Sequence, residues 1–209
     1  MSDSLGPTQA SAVRTLVIAT GHDLSLALLH GDVGVASRHE PMLKGHAEAL
    51  VPAIAEMLAP FGGQAHRCDR IVVETGPGSF TGLRVGLAAA RALALAWGAG
   101  LAGVRSTQLV AAEAWRSGTT GSLLVALVAP RGQIWVEGFA ADRTTVLAPA
   151  ALSPDLAQAL AGRFDHVAGT TLLLQGEPLR SPRAAAVAAL AIAELGGADI
   201  LYVRAPDSR

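Results

Sequence analysis

The sequence predicts an α/β protein built from two halves, of which the second is smaller. Apolar residues make up 51% of the 209 residues and charged residues only 16%, so the chain can bury a substantial core. Short β-rich apolar runs alternate with longer segments of 3.6-residue periodicity, which is typical of helices that return the chain between parallel strands. A second, shorter set of such runs begins near Gly121.

Three strands are predicted at the start of the first half. The apolar runs 15–20, 24–30 and 33–38 are separated by turn residues at 21–23 and 31–32. Such short connections favour an antiparallel meander.

The next segment, 44–61, is predicted to be helical. Pro52 either begins the main helix or kinks a longer one, and Gly62–Gly63 ends it. The apolar residues that form one stripe of this helix are Leu50, Ile54, Met57, Leu58 and Phe61.

The rest of the first half is predicted to alternate strand and helix. A strand at 70–74 precedes a long helix at 81–98, and a strand at 101–104 precedes a helix at 107–115. The order β-β-β-α-β-α-β-α indicates a mixed sheet.

In the second half, a hairpin is predicted around Ala129–Gly132. Its strands are 123–128 and 133–139. The elements predicted after it are a strand near 145–147, a helix at 154–161, a strand near 167–174, a helix at 182–195 and a tail strand at 200–204. We therefore expect a disordered tail at 1–14, a first subdomain at 15–117 and a smaller second one at 118–209.

The composition argues against several functional classes. The net charge is −1 and no cluster of five Lys or Arg occurs, so independent RNA or DNA binding is not expected. The single cysteine, Cys68, excludes an intrachain disulfide and a cysteine zinc site, and we expect it buried or half-buried at a strand edge. The polar first residues do not form a signal peptide, which favours a cytoplasmic protein without a membrane segment.

Motifs for metal binding and nucleophilic catalysis are incomplete. His39-Glu40 begins like H-E-x-x-H, but the second histidine is missing and Pro41 opposes a helix. No G-x-S-x-G elbow occurs, and the acidic residues are scattered. We therefore expect neither a metal site nor catalytic residues.

The stretch ETGPGSFTGLRVG, residues 74–86, has the glycine content of a phosphate-binding loop. It lacks the Walker A lysine, and its glycines at 76, 78 and 82 do not match G-x-G-x-x-G. Its composition suits a sharp turn from strand to helix, with Ser79 or Thr81 capping the helix. Capping without a ligand is favoured over anion binding.

The helix predicted at 81–98 is apolar on two sides, and Arg84 and Arg91 are its only charges. A helix at the surface of a sheet should show a wide polar face, and this one does not. Either its small residues pack tightly on the chain's own sheet, or one face packs a partner helix; the second interpretation is favoured. The small residues recur every fourth position, at Gly82, Gly86, Ala90, Ala94 and Gly98.

The loop and its flanks resemble the TsaB (YeaZ) family, whose motif reads close to GPGSFTGLRIG before an alanine-rich helix. Three other stretches agree with the family: Gly45–Leu50 with its H-S-E-x-L helix start, 17–28 with its first hairpin, and Tyr202-Val203-Arg204 with its terminal Y-L-R. The similarity is strong over 15–106 and weak beyond.

The resemblance implies the actin/Hsp70/sugar-kinase (ASKHA) fold of two related α/β halves with mixed sheets, the second half reduced. It also implies a non-catalytic scaffold that binds TsaD, the subunit that places threonylcarbamoyl on the tRNA adenosine next to the anticodon. The other implied partners are the ATPase TsaE and, without TsaD, a second copy of the chain. Transfer RNA would be met only through the complex.

By the same resemblance, the helix starting at His46 and the helix at 81–98 form the partner interface. No intrinsic cofactor is implied, and ATP or ADP is expected only at a subunit interface. The implied interface residues are His46, Leu50, Ile54, Gly82, Arg84, Gly86, Leu87, Ala90, Arg91 and Ala94, and the implied nucleotide-binding residues are Thr20, Gly76, Gly78, Ser79 and Thr81.

Two positions depart from the family pattern. Ala19 stands where the first strand ordinarily ends in aspartate, and Ala129 replaces the aspartate of the D-A-R hairpin. Alanine can neither coordinate magnesium nor orient water, which argues against independent ATP hydrolysis. The alternative functions are a small ATPase or kinase of the same fold and, more weakly, a peptidase.

Overall fold

The first sheet of the computed structural model has five strands in the order β3-β2-β1-β4-β5. Strands β1 to β3 form the antiparallel meander, while β4 and β5 continue the sheet parallel to β1. The strands are β1 (Arg14–Ala19), β2 (Leu24–His30), β3 (Val33–Glu40), β4 (Arg70–Gly76) and β5 (Gly100–Arg105). The structure describes residues 13–62, 67–171, 180–191 and 194–203.

Three helices cover this sheet. Helices α1 (His46–Leu58) and α2 (Phe80–Trp97) pack on the face that carries Leu16 and Ile18 of β1. Helix α3 (Ser106–Arg116) packs on the opposite face. The alternation of β1 side chains between the two faces therefore builds two separate apolar layers.

The second sheet repeats this plan with four strands in the order β8-β7-β6-β9. Strands β6, β7 and β8 form an antiparallel meander, and β9 runs parallel to β6. The elements are β6 (Leu123–Val128), β7 (Ile134–Phe139), β8 (Thr145–Leu152), α4 (Pro154–Ala161) and β9 (His166–Gly169). The prediction of two related α/β halves with mixed sheets is confirmed.

Helix α3 lies in a core shared by both sheets. Its buried residues from Leu109 to Trp115 pack with Val17 and Val72 of the first sheet and with Leu123 and Phe139 of the second. Helix α4 covers the other face of the second sheet, where Ala157 is buried. The first and second sheets, each with its helices, are called the first and second lobes below.

Two predictions near the end of the chain are wrong. Instead of a helix at 182–195, a short 3₁₀ helix spans Ala184–Ala189 and the backbone becomes extended at Leu190. Gly196 then exchanges two hydrogen bonds with Gly103 at the edge of β5, so the backbone bonds that a helix would use are made across the molecule.

The predicted tail strand is also absent over residues 200–203. This segment makes one backbone hydrogen bond to the first sheet, from the Leu201 N–H to the Thr75 carbonyl at 2.8 Å. The end of the predicted strand near 167–174, most of the tail at 1–14, residues 192–193 and Arg204 lie outside the described residues.

Other elements match with shifted ends. Helix α1 begins at His46 and continues through Pro52, and Gly62 follows the 3₁₀ turn after it with φ 106°. Cys68 is buried just before β4, as predicted, and burial raises the pKa of its thiol to about 11. Among the described helices, α2 alone is long and apolar enough for a membrane span, a criterion that core helices of globular proteins also meet.

Candidate functional site

The glycine-rich loop makes a sharp turn from β4 into α2. Gly76 has φ 103°, a left-handed conformation that favours glycine. Ser79 is the N-cap residue of α2, and its Oγ accepts a hydrogen bond from the Gly82 N–H at 3.3 Å. Of the two predicted caps, Ser79 is therefore the one used.

The loop is locked against the turn that follows β1. The Ser79 N–H donates to the Gly21 carbonyl at 2.6 Å, and the Thr20 Oγ1 donates to the Gly82 carbonyl at 2.8 Å. A Cβ atom at Gly82 would lie 2.0 Å from the Thr20 carbonyl oxygen, and one at Gly78 would lie 2.7 Å from the Gly21 carbonyl oxygen. The glycines are therefore required for the approach of two backbone segments of this chain.

Several of the residues predicted to bind a nucleotide take part in this packing. Thr20 and Gly76 are buried, while Ser79 and Thr81 are exposed at the start of α2. Because the Ser79 and Gly82 N–H groups already donate within the chain, they do not form a free phosphate cradle. Binding of ATP or ADP at a subunit interface stays a prediction.

A buried carboxylate lies beneath the two loops, at the end of β4. Glu74 accepts hydrogen bonds from the Gly21 N–H at 2.5 Å and the Ser106 Oγ at 2.6 Å, and its Oε1 lies 3.6 Å from the Nδ1 of His22. Burial alone would raise the pKa of Glu74, but His22, Ser106 and the Gly21 amide outweigh it and the pKa is lowered. Glu74 is therefore held as a carboxylate.

A second buried carboxylate connects the lobes. Glu137 of β7 is 0% exposed, and the Arg105 guanidinium at the end of β5 grips it through Nε at 3.0 Å and Nη2 at 2.6 Å. The hydroxyl groups of Thr107 and Thr145 also donate to Glu137. Because Arg105 and Glu137 belong to different sheets, this ion pair is a clamp between the lobes.

Neither carboxylate was predicted from the sequence. The only signal was an acid inside an apolar strand run, in RIVVE for Glu74 and IWVEGF for Glu137. A buried acid in such a run needs partners. Within the described residues, no group of three or more His, Cys, Asp or Glu side chains could hold a metal ion.

The predicted partner-interface residues fall into two sets. Arg84 and Arg91 are exposed. The others lie on the inner sides of α1 and α2, where they are buried in this chain, and a contact between them and a partner stays a prediction. A Cβ atom at Gly86, for example, would lie 2.3 Å from the Thr20 Oγ1 of β1's own turn. The residues buried in this chain are His46, Leu50, Ile54, Gly82, Gly86, Leu87, Ala90 and Ala94.

Both helices nevertheless carry exposed apolar residues on their outer sides, beside the exposed charges Glu48 and Glu56 of α1 and Arg84 and Arg91 of α2. Leu95 of α2 is 87% exposed and Val51 of α1 is 64% exposed. We call this surface the outer face; it consists of Ala47, Val51, Ala55, Ala88, Ala92, Leu95 and Ala96. A helix that is apolar on the solvent side as well as the core side is typical of a contact with another protein.

Comparison with known proteins agrees with this architecture. A family model described as TsaD, tRNA N6-adenosine threonylcarbamoyltransferase, matches residues 40–169. An uncharacterised protein of Mycobacterium tuberculosis is 33% identical over 190 residues, which cover 84% of this chain and 87% of that protein. The tRNA threonylcarbamoyladenosine biosynthesis protein TsaB of Escherichia coli is 29% identical over 126 residues, 60% of this chain and 54% of that protein.

A solved structure of YeaZ from Pseudomonas aeruginosa superposes with a TM-score of 0.73 at 24% identity, covering 91% of this chain and 100% of that chain. The two repeated lobes and the interlocked loops define a protein of the actin/Hsp70/sugar-kinase fold class. Within that class, the chain belongs to the TsaB (YeaZ) family.

Proposed function

We propose that this chain is a non-catalytic scaffold subunit for threonylcarbamoyladenosine biosynthesis in tRNA. It binds a TsaD-type catalytic subunit through the outer face and, without that subunit, a second copy of itself. The assembled pair then recruits a TsaE-type ATPase. The names of the TsaB relatives support the pathway, and the TsaD-type family match supports the kind of partner.

The observation that carries this proposal is the outer face itself. The inner sides of α1 and α2 already contribute Leu50 and Leu87 to the core, so fold stability does not require apolar residues on the opposite sides. A solvent-facing helix normally carries charges there. Leu95 lies beside the exposed Ala92 and Ala96, whose small side chains allow another helix to pack closely.

A scaffold role also agrees with the chemistry at the strand ends. Ala19 and Ala129 are buried. Each stands where the family pattern ordinarily has an aspartate, so each offers a methyl group in place of an oxygen ligand for magnesium. Glu74 and Glu137 use their oxygens within the chain, on Gly21, Ser106 and Arg105. These carboxylates serve to position loops and lobes.

The test uses two exposed leucines as a matched pair. Leu95 lies on α2 in the first lobe, and Leu156, 58% exposed, lies on α4 in the second. Surface substitutions of this kind change the free energy of unfolding by no more than about 0.5 kcal/mol. We expect Leu95→Asp to abolish co-elution with the TsaD-type protein of the same organism in size-exclusion chromatography, because it places a charge in the contact.

Leu156→Asp should co-elute like the wild type. In cells that lack the native gene, threonylcarbamoyladenosine measured by nucleoside mass spectrometry should be restored by Leu156→Asp and not by Leu95→Asp. Co-elution and full restoration by Leu95→Asp would show that the outer face is not the docking surface.

A further inference from the structure

Two aromatic rings lie exposed beside each other next to the glycine-rich loop. The chain contains only four Phe, three Trp and one Tyr. Phe80, at the start of α2, is 52% exposed, and Tyr202, in the segment that follows the last sheet contact, is 55% exposed. Their ring centroids are 5.9 Å apart. In a protein with so few aromatic residues, an exposed pair indicates a contact surface.

These rings line a small pocket between the lobes. Its volume is about 210 Å³, and Leu83, Leu201 and the indole of Trp135 on β7 complete its apolar wall. Pockets that enclose a whole drug-sized ligand have volumes of about 300–1,000 Å³. This pocket therefore suits a single planar ring system that belongs to a larger molecule.

A groove that contains two arginines and one aspartate continues from the pocket along α2. Tyr202 lines both, and the groove, of about 430 Å³, is also lined by Arg84, Arg91 and Asp199. The Arg84 guanidinium lies 3.7 Å from the centroid of the Phe80 ring, and among the described residues it has no carboxylate partner. Arg91 pairs with Asp199 at 3.3 Å. Seven residues separate the two arginines, so they stand about 10 Å apart along the helix axis.

We propose that this patch binds an unpaired nucleotide of single-stranded RNA. The base enters the pocket, and the sugar–phosphate strand follows the groove past Arg84 towards Arg91. Sites for single strands combine stacking rings with a basic groove that follows the backbone. A free mononucleotide could place the same base in the pocket, but its phosphate would lie near Arg84 and would not reach Arg91.

The proposal gives this chain a direct RNA contact, whereas the sequence predicted that tRNA is met only through the complex. The net charge of −1 did not indicate this RNA contact, because only two arginines in one groove are involved. It rests on the proposed function for the choice of RNA as the strand, and the binding surface is separate from the outer face around Leu95.

The test measures fluorescence anisotropy of a labelled single-stranded RNA of about 8 nucleotides, within the ~4–16 that one such site covers. We expect Phe80→Ala and Tyr202→Ala each to weaken binding by the full chain about five-fold or more, because a stacked base is lost. Tyr202→Phe keeps the ring and should bind like the wild type. Loss of binding in Tyr202→Phe as well would contradict stacking.

Salt dependence tests the groove. Arg84→Gln should reduce the slope of log K against log salt by about 0.7, the value for one phosphate contact on a single strand. The matched control is Arg163→Gln, which removes an exposed arginine just after α4 in the second lobe and should leave the slope unchanged. Equal slopes for wild type and Arg84→Gln would overturn the proposed path of the strand.

Two further arms separate this proposal from its alternatives. AMP should displace the labelled RNA only at much higher concentration than unlabelled RNA does; equal displacement would make this a mononucleotide site and overturn the strand. Leu95→Asp should bind RNA like the wild type while failing to co-elute with the TsaD-type subunit. Failure of RNA binding with normal co-elution would therefore sink this proposal alone.

Discussion

The two lobes have four strands in the same order, but their helices differ in length and in the residues that they expose. Helix α4 of the second lobe has eight residues, buries Ala157 alone and begins at a Ser153 cap. The helix in the equivalent position of the first lobe, α1, has thirteen residues, with Leu50 and Ile54 in the core and Val51 exposed on its outer side. The same strand order can therefore carry a helix that only covers a sheet or one that also offers a second contact.

The lobes also hold their buried acids differently. Glu74 in the first lobe is bonded within its own lobe, to the Gly21 turn and to Ser106. Glu137 in the second lobe is gripped by Arg105 of the first. Glu74 holds loops of the first lobe in place, and Glu137 holds the two lobes together. Separate substitutions can test the two roles.

The largest expected effect comes from breaking the clamp between the lobes. Arg105→Met keeps most of the side-chain volume but leaves the Glu137 carboxylate buried without its cation, at a cost of about 3–5 kcal/mol in the free energy of unfolding. Urea denaturation monitored by tryptophan fluorescence measures this cost. Arg116→Met, which removes the exposed Arg116–Glu113 pair, is the control and should cost no more than about 1 kcal/mol. Equal costs would show that the clamp does not hold the lobes.

A smaller effect is expected from the interlocked loops of the first lobe. Gly82→Ala places a methyl group 2.0 Å from the Thr20 carbonyl oxygen, so the loop must move, at a cost of about 1–3 kcal/mol. Gly34→Ala is the matched control, because a Cβ atom there has no neighbour within 4 Å. Thermal unfolding should give a lower Tm for Gly82→Ala only. An unchanged Tm would mean that the loops are not in contact in solution.

Gly82 shows which features of the turn and of α2 could be predicted from the sequence. The pattern correctly predicted a strand-to-helix turn and a helix that is apolar on two sides, and Ser79 is one of the two caps that it offered. It could not tell which side faces the sheet, because both sides are apolar. The row of small residues was interpreted as a partner surface, and Gly82, Gly86, Ala90 and Ala94 are buried in this chain. The close approach to Thr20 depends on a contact 62 residues away in the chain, which periodicity does not encode.

The buried carboxylates were not predicted and the helix at 182–195 was predicted wrongly for the same reason. Arg105 and Glu137 are 32 residues apart and in different sheets, so local spacing gives no sign of their pairing. The alanine-rich segment 182–195 has high helix propensity, but its backbone is used to bridge Gly103 and Gly196. Tertiary contacts decided both cases, whereas strands β1 to β7 followed from local pattern.

The smallest expected effect is a change in pH dependence that separates Glu74 from ordinary surface acids. Its pKa in the folded protein is below the ordinary 4.5, because the donors from His22, Ser106 and Gly21 outweigh burial. The folded state therefore binds fewer protons than the unfolded state in acid. The stability that Glu74 contributes is complete above pH 4.5 and is lost as the pH falls below it through the folded pKa.

Glu74→Gln removes this titration, so the difference in unfolding free energy between wild type and variant should shrink as the pH falls below 4.5. Urea titrations at a series of pH values measure that difference. Glu48→Gln, at an exposed position in the first turn of α1, should follow the wild-type curve in parallel. A constant difference between wild type and Glu74→Gln across the acid range would mean that Glu74 is not a carboxylate held by its donors. The first lobe would then position its loops through packing at Gly78 and Gly82 alone.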